Sequence, residues 1–379
     1  MPFPAAPSDG SNIPITASQI INEFGNPPEN GNIFKLKDYR KLTSIGGRNW
    51  PIDDNFPTGE SSVKFSDFYG KQHNLVAVLS GGEITRQTAS EHFQDIKSTA
   101  YRSTNFLVRR TSKIIIYVIR RIGSEKSQTK NKCALRTGTE TNWYGSSQTS
   151  AKFVIRIGNG GALYGAGGDG GQGGDEDTDG NHGNSGTSAL GIQVNVESVI
   201  IDAGGIIQAG AGGGAGGGGS REDSDTVRRA GGGGGGGGAG LPAGNGGGIR
   251  KKSSQSEGES GSNGSLNSGG DGGNGGNNDN EARGGGGGGG GSFSGDGGQG
   301  GEGGDNSNDT DGNGGSGSNG SGGNGGDGKI TGGDGAGESS GGDGGSAGYA
   351  ITRDSGIALP DIVINGTIRG SYNVTAGVS

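Results

Sequence analysis

The chain has 379 residues, 96 of them glycine and one a cysteine, with a formal net charge of −8. Ordinary glycine usage is roughly 7%, whereas 80 of these glycines crowd into residues 158–348, so that stretch cannot bury a conventional apolar core. The lone Cys133 excludes an intrachain disulfide, and with it a small cystine-stapled scaffold.

Charge divides at the same boundary. Residues 1–157 carry a balance of +8 and residues 158–379 one of −16. Phosphate contacts need cations, so the acidic half predicts no nucleic-acid partner. The opening MPFPAAPSDG has neither a basic nor an apolar leader region, so no signal peptide is expected. No apolar run approaches the ~20 residues of a membrane-spanning helix.

Residues 1–71 read as a small module. Thr16-Ala-Ser-Gln19 has the capping-box pattern and precedes Ile20, Ile21 and Phe24, which predicts a helix near 17–24. Gly25 offers its stop. Phe34–Arg40 and Val63–Tyr69 form a weak repeat, each a short strand running into a helical turn. Such a module is either a local core or a docking piece for a larger assembly.

Residues 72–157 read as all-β, with strands at 75–79, 106–110, 113–122, 131–136 and 151–157. Their Val, Ile, Phe and Tyr content suits a sandwich. The pairs Arg109-Arg110 and Arg120-Arg121 read as solvated strand ends. From Gly158 eight glycine runs follow, near 160–174, 204–219, 231–248, 268–276, 284–291, 295–304, 311–328 and 332–348. An apolar island, Leu190–Ile207, interrupts them as one or two strands. Strand character returns at Tyr349–Ile351, Ile362–Ile364 and Thr367–Arg369.

A glycine-rich tract is disordered by default, because little apolar surface offsets its entropy. Here punctuated runs recur, which predicts an ordered bundle of polyglycine II helices. These are left-handed, with about three residues per turn and ~3.1 Å rise. Without a Cβ, neighbouring helices approach closely and pair N–H with C=O between helices. Collagen fails, because Gly231–Gly238 breaks any three-residue register and Pro242 is the only proline in the region. A calcium β-roll fails where Lys329 takes the apolar position.

Chemical motifs are absent. Gly323–Lys329 resembles a phosphate loop, but Ile330 stands where Ser/Thr is required. His73, His92 and His182 lack metal spacing. The acids Asp175–Asp177 and Glu222-Asp223 lie in charged loops, not as a pair fixed across a cleft. No cofactor, metal or enzymatic activity is expected.

Ile157-Gly-Asn-Gly-Gly-Ala-Leu-Tyr-Gly-Ala-Gly-Gly-Asp-Gly-Gly171 resembles the passage from strands into the glycine-rich domain of phage tail adhesins, including the tail-fibre tip adhesins of T-even-like phages. Gly344–Ile351 with Ile364–Gly370 resembles the closing strands of glycine-rich phage tail proteins. Val63–Lys71 with Ile15–Gly25 is similar to opening segments of phage and cyanophage tail proteins. The resemblance implies a virion-tail location, at fibre tip or baseplate, and receptor binding through loops joining the glycine helices.

The expected fold is mainly β plus a polyglycine II bundle. It comprises a docking module of small α/β type (1–71), a β-sandwich-like domain (72–157), the glycine bundle with polar loops (158–348) and closing strands (349–379). Residues 1–71 would dock to other tail or baseplate proteins, the chain being a homotrimer or a monomer capping a trimeric fibre. The loops would meet a host surface polysaccharide or outer-membrane protein. Receptor-binding candidates are Asp175, Asp177 and His182 in 175–185, and Arg221, Asp223 and Arg228 in 221–230. Arg250 and Lys251 in 250–267, Asn278 in 277–283 and Asp309 in 305–310 complete the set. Successive antiparallel helices put their loops alternately at two ends, so about half would face the host. The rival reading is a purely structural tail or baseplate component. Ice binding is disfavoured by the acidic, irregular spacers, and polysaccharide cleavage by the missing acid pair.

Overall fold

A computed structural model of the chain describes residues 15–24, 36, 43–45, 48–50, 53, 56, 63–69, 71, 74–85, 87–88, 113–127, 129–140, 143, 152–175, 177–223, 227–250, 256–278, 282–293, 297–303, 312–330 and 338–378. The expected strand at 106–110, with Arg109-Arg110, lies outside them, as do Lys251 and Asp309.

The helix Ala17–Phe24 forms where its cap predicts. The Thr16 N–H donates to Gln19 Oε1 at 2.8 Å, and the Gln19 N–H donates back to Thr16 Oγ1 at 3.3 Å. Ile15 and Ile20 bury with Phe56 and Phe68, whose rings stand 4.9 Å apart. In Val63–Tyr69 the expected helical turn forms, as a 3₁₀ turn at Phe65–Phe68, whereas the short strand expected before it does not. A hairpin, Thr43–Ile45 with Arg48–Trp50, completes the described part of this region.

Three parallel sheets of five strands dominate the molecule. The first stacks Leu75–Leu79, Lys113–Val118, Lys152–Ile157, Val196–Ile201 and Asp361–Ile364. The second stacks Ile84–Thr85, Arg121–Gly123, Ala162–Tyr164, Ile206–Gln208 and Thr367–Arg369. The third stacks Gln87–Thr88, Cys133–Arg136, Ser188–Ile192, Ile351–Arg353 and Val374–Thr375. The chain visits the three sheets in turn and then begins the next coil. The result is a parallel β-helix of five coils. Its sheets share one core: Ile114, Ile116 and Val118 meet Ile122, Leu163, Ile207, Leu135 and Leu190 inside. The alternate residues Ile115 and Tyr117 face outward and pack with Val154, as period-two side chains must.

The β-sandwich expected for 72–157 does not form. A sandwich pairs its strands antiparallel, whereas every pairing in these three sheets is parallel. The sheets also take strands from both sides of the glycine-rich region, pairing Val199 with Ile362. The island 190–207 supplies parts of three strands, and 349–379 supplies the fifth coil.

The glycine-rich chain leaves the β-helix at one corner, between the second and third sheets. There the coils carry residue 86, then 124–132, 165–187, 209–350 and finally 370–373. Within the two long insertions lie twelve extended segments: 165–174, 180–187, 209–219, 231–240, 244–248, 256–265, 269–276, 284–292, 297–303, 312–318, 321–328 and 339–348. They alternate in direction, away from the β-helix and back.

Their backbone hydrogen bonds change partner with a period of three. From 209–219, Gly210, Gly213 and Gly216 donate to 180–187, Ala211, Gly214 and Gly217 to 231–240, and Gly212, Ala215 and Gly218 to Gly320, Gly323 and Gly326. Three further segments donate into the same carbonyls, so this segment has six neighbours. The same holds for 231–240 and 284–292. These three form an inner triangle in which Gly214 N–H donates to Gly236 O (2.8 Å), Gly236 N–H to Gly288 O (2.9 Å) and Gly288 N–H to Ala215 O (2.8 Å). Nine segments ring it.

This packing dictates composition. A Cβ at Gly214 would lie 2.0 Å from the Gly288 carbonyl oxygen, one at Gly235 2.1 Å from that of Gly214, and one at Gly287 2.1 Å from that of Gly234. The inner segments accordingly contain only glycine and alanine, apart from Ser292 at one end. Segments 165–174, 269–276 and 321–328 each touch two inner segments and read Gly-Gly-X, with Asp169, Gln172, Asp271, Asn274, Asn324 and Asp327 facing out. Segments 180–187 and 256–265 each touch one inner segment and need glycine only every third residue.

The outward side chains close the ring. Asp169 Oδ1 accepts from Asn245 N–H (2.6 Å), Asp271 from Gln299 (2.8 Å), Asn274 from Glu302 (2.8 Å), Asp327 from Gly341 (2.9 Å) and Asn324 from Gly344 (2.9 Å). Backbone donors that have no segment beyond them are satisfied this way.

Candidate functional site

Alternation of direction sorts the connections. Those near the β-helix are described at 188–208, 241–243, 266–268, 293 and 319–320. At the far, distal end the described residues of the connections are 175, 177–179, 220–223, 227–230, 249–250, 277–278, 282–283, 329–330 and 338, and the segments ending at 303 and starting at 312 also meet there. All six described Lys and Arg residues between 165 and 348 lie at this distal end: Arg221, Arg228, Arg229, Arg250, Arg283 and Lys329. Carboxylates, in contrast, occur both here and along the flanks.

The distal connections interlock. Ser220–Asp223 pairs with Val227–Ala230, setting Arg221 opposite Arg229 and Glu222 opposite Arg228. Asn277–Asn278, Ala282–Arg283 and Lys329–Ile330 form a three-stranded sheet with Arg283 between Asn277 and Lys329. Ser220 Oγ donates to Arg283 O at 2.7 Å, and Asn278 Nδ2 to Arg229 O at 3.3 Å. Bridges join Ser220 to Glu338 and Ala230 to Ser256.

The first connection turns on Asp175, which is buried. Its Oδ1 accepts from Asp177 N–H at 3.1 Å and from Thr178 Oγ1 at 2.9 Å. This carboxylate therefore shapes the turn, while Asp177 is exposed beside it. Arg250 ties this turn to the third connection by donating to Thr178 Oγ1 and to Asn181 Oδ1.

Of the expected site residues, Asp175, Asp177, Arg221, Asp223, Arg228, Arg250 and Asn278 lie together at the distal end. His182 does not. It sits on the flank within 180–187, where Nδ1 accepts the Asp343 N–H at 2.8 Å. Residues 180–185 and 256–265, expected as loop, are themselves extended segments. The distal connection 329–338 was hidden by the glycines around it, although Lys329 marks it. Arg229, Arg283 and Ser220 join the tip for the same reason of placement.

Among the described residues no three His, Cys, Asp or Glu side chains gather as a metal site, and no helix is long and apolar enough to cross a membrane. Among the described residues the only salt bridges to Asp202 come from Arg156 (2.6 Å), within the β-helix, and from Arg48 (3.3 Å), which fastens the N-terminal hairpin to it.

A family model described as phage tail fibre adhesin Gp38 matches residues 83–283, more than half of the chain. No curated protein sequence matches. Among solved structures the chain is similar to the gp37-gp38 adhesin tip complex of the bacteriophage S16 long tail fiber, at 17% identity and a TM-score of 0.32, covering 84% of this chain and 90% of that one. The glycine-rich region inserted in the β-helix thus lies largely within the span of an adhesin family, and the chain belongs to the phage tail fibre adhesin Gp38 family, whose place is the virion tail.

Proposed function

We propose that this adhesin binds the host cell surface through the distal connections, displayed on a rigid bundle of polyglycine II helices. The observation that carries the reading is the gathering of polar connections at one end, far from the β-helix. The confinement of every described Lys and Arg of residues 165–348 to that end gives it a chemistry the acidic flanks lack. The polyglycine II assignment is supported by the period-three partner change and by the six-neighbour packing, which that helix allows. At ~3.1 Å per residue, segments of about nine residues hold the tip roughly 28 Å from the β-helix.

The protein acts by binding and not by catalysis. Residues 1–71 dock it to other tail proteins, as the small core around Phe68 and the hairpin clamped through Arg48 suit a module held against a rigid body. The receptor is a surface polysaccharide or an outer-membrane protein. Exchange of residues 220–230 and 277–283 between related phages tests this. Host range should follow the exchanged connections while virions still assemble. Virions that assemble and adsorb as before would remove the adhesin reading of the tip and favour a purely structural role.

A further inference from the structure

We propose a second binding site, for a saccharide, in the cavity beneath the overhang of the glycine-rich region at the fifth coil. The cavity has a volume of about 760 Å³ and is lined by Phe293, Asn319, Arg369, Ser371, Tyr372 and Asn373 among others. It exists for a topological reason. The second, third and fourth coils fill this corner with insertions, whereas the fifth turns in four residues, 370–373. Phe293 and Asn319, at the β-helix end of the glycine-rich region, hang over the space so left.

The site is built rather than incidental. Phe293 is the only aromatic residue between 165 and 348. Its ring fits because two glycines with positive φ stand against it, Gly320 (+83°) and Gly370 (+99°). A Cβ at Gly320 would lie 2.5 Å from the ring. Arg369 is oriented by Gln208, a fully buried side chain whose Oε1 accepts from Nη1 at 2.8 Å. Tyr372 is 40% exposed at the rim. Two aromatic surfaces beside amide, hydroxyl and guanidinium groups form the lining of a pocket for a small ligand with apolar faces and many hydroxyls, as a pyranose has. This site lies at the β-helix end of the bundle, so it stands or falls apart from the distal tip.

The test is saturation-transfer NMR on the full chain with glucose, N-acetylglucosamine and glucuronic acid as probes, and a non-aromatic tripeptide as control. At least one sugar should receive saturation. Its affinity should fall about tenfold, near 1.4 kcal/mol, in both Tyr372→Ala and Asn373→Ala, and should persist when residues 277–283 are replaced by a glycine-serine linker. Both substitutions are on exposed side chains, and unchanged circular dichroism confirms the fold. No saturation of any sugar, equal saturation of the tripeptide, or affinity unchanged in both variants would overturn the proposal.

Discussion

The β-helix and the glycine-rich region solve the same problem with opposite materials. In the β-helix, Ile116, Leu163 and Leu190 bury apolar side chains between sheets, and the backbone pairs only with the coils above and below. In the inner segments of the glycine-rich region side chains are nearly absent, and each of these segments pairs its backbone in six directions. The first tolerates any apolar residue of suitable volume. The second tolerates almost nothing but hydrogen at Cα.

That contrast predicts unequal responses to substitution. The largest effect is expected at the inner triangle. Gly235→Val places a carbon 2.1 Å from the Gly214 carbonyl oxygen, so it should abolish the ordered glycine region. Amide hydrogen exchange should then show protection lost across 165–187 and 209–348 and kept in strands 113–118 and 152–157. Uniform protection as in the parent would mean that the segments are not packed this closely. Ile116→Ala, in the β-helix core, should cost about 2–5 kcal/mol, measured by denaturant unfolding. It should leave the order of the glycine region unchanged at low denaturant.

A smaller loss is expected at the clamp. Asp202→Asn weakens the pairs with Arg156 and Arg48 and should cost on the order of 1–3 kcal/mol, as for hydrogen bonds to charged groups. Faster proteolysis between residues 24 and 63 would report release of the hairpin. The smallest effect concerns Glu197. The hydrogen bond from Lys152 lowers its pKa, partial burial opposes this, and Lys113 adds to the lowering. A carboxylate held low stabilises the fold at neutral pH, and that contribution disappears as pH falls through the folded pKa. Glu197→Gln should therefore be slightly less stable than the parent at pH 7 and equal to it in acid. A difference that grows on acidification would contradict the pairing.

Local signals were legible in the sequence and long-range ones were not. The Thr16–Gln19 box set the helix, and the β-branched residues of 113–118 and 152–157 set their strands. Nothing in those strands distinguishes a sandwich from a β-helix, because both bury alternate side chains. The decision lies in pairings such as Val199 with Ile362, across an insertion no local pattern spans. Counting glycine density found eight runs. It missed 180–187 and 256–265, where glycine is needed only on the one face that meets an inner segment. It also merged 231–240 with 244–248, and 312–318 with 321–328. A period-three count would have separated peripheral segments from connections. It would also have moved His182 from the tip to the flank. The positions of Lys and Arg carried the tip most economically, since Lys329 alone reveals the last distal connection.

Photo-crosslinking on adsorbing phage distinguishes a host-facing tip from a passive one. A photoreactive residue is placed at Asp177 or Asn277 on the distal end, or at Asn245 on the flank, all three exposed. Covalent adducts with host envelope components are expected from the two distal positions and none from Asn245. Adducts from Asn245 alone, or equally from all three, would contradict a host-facing distal tip.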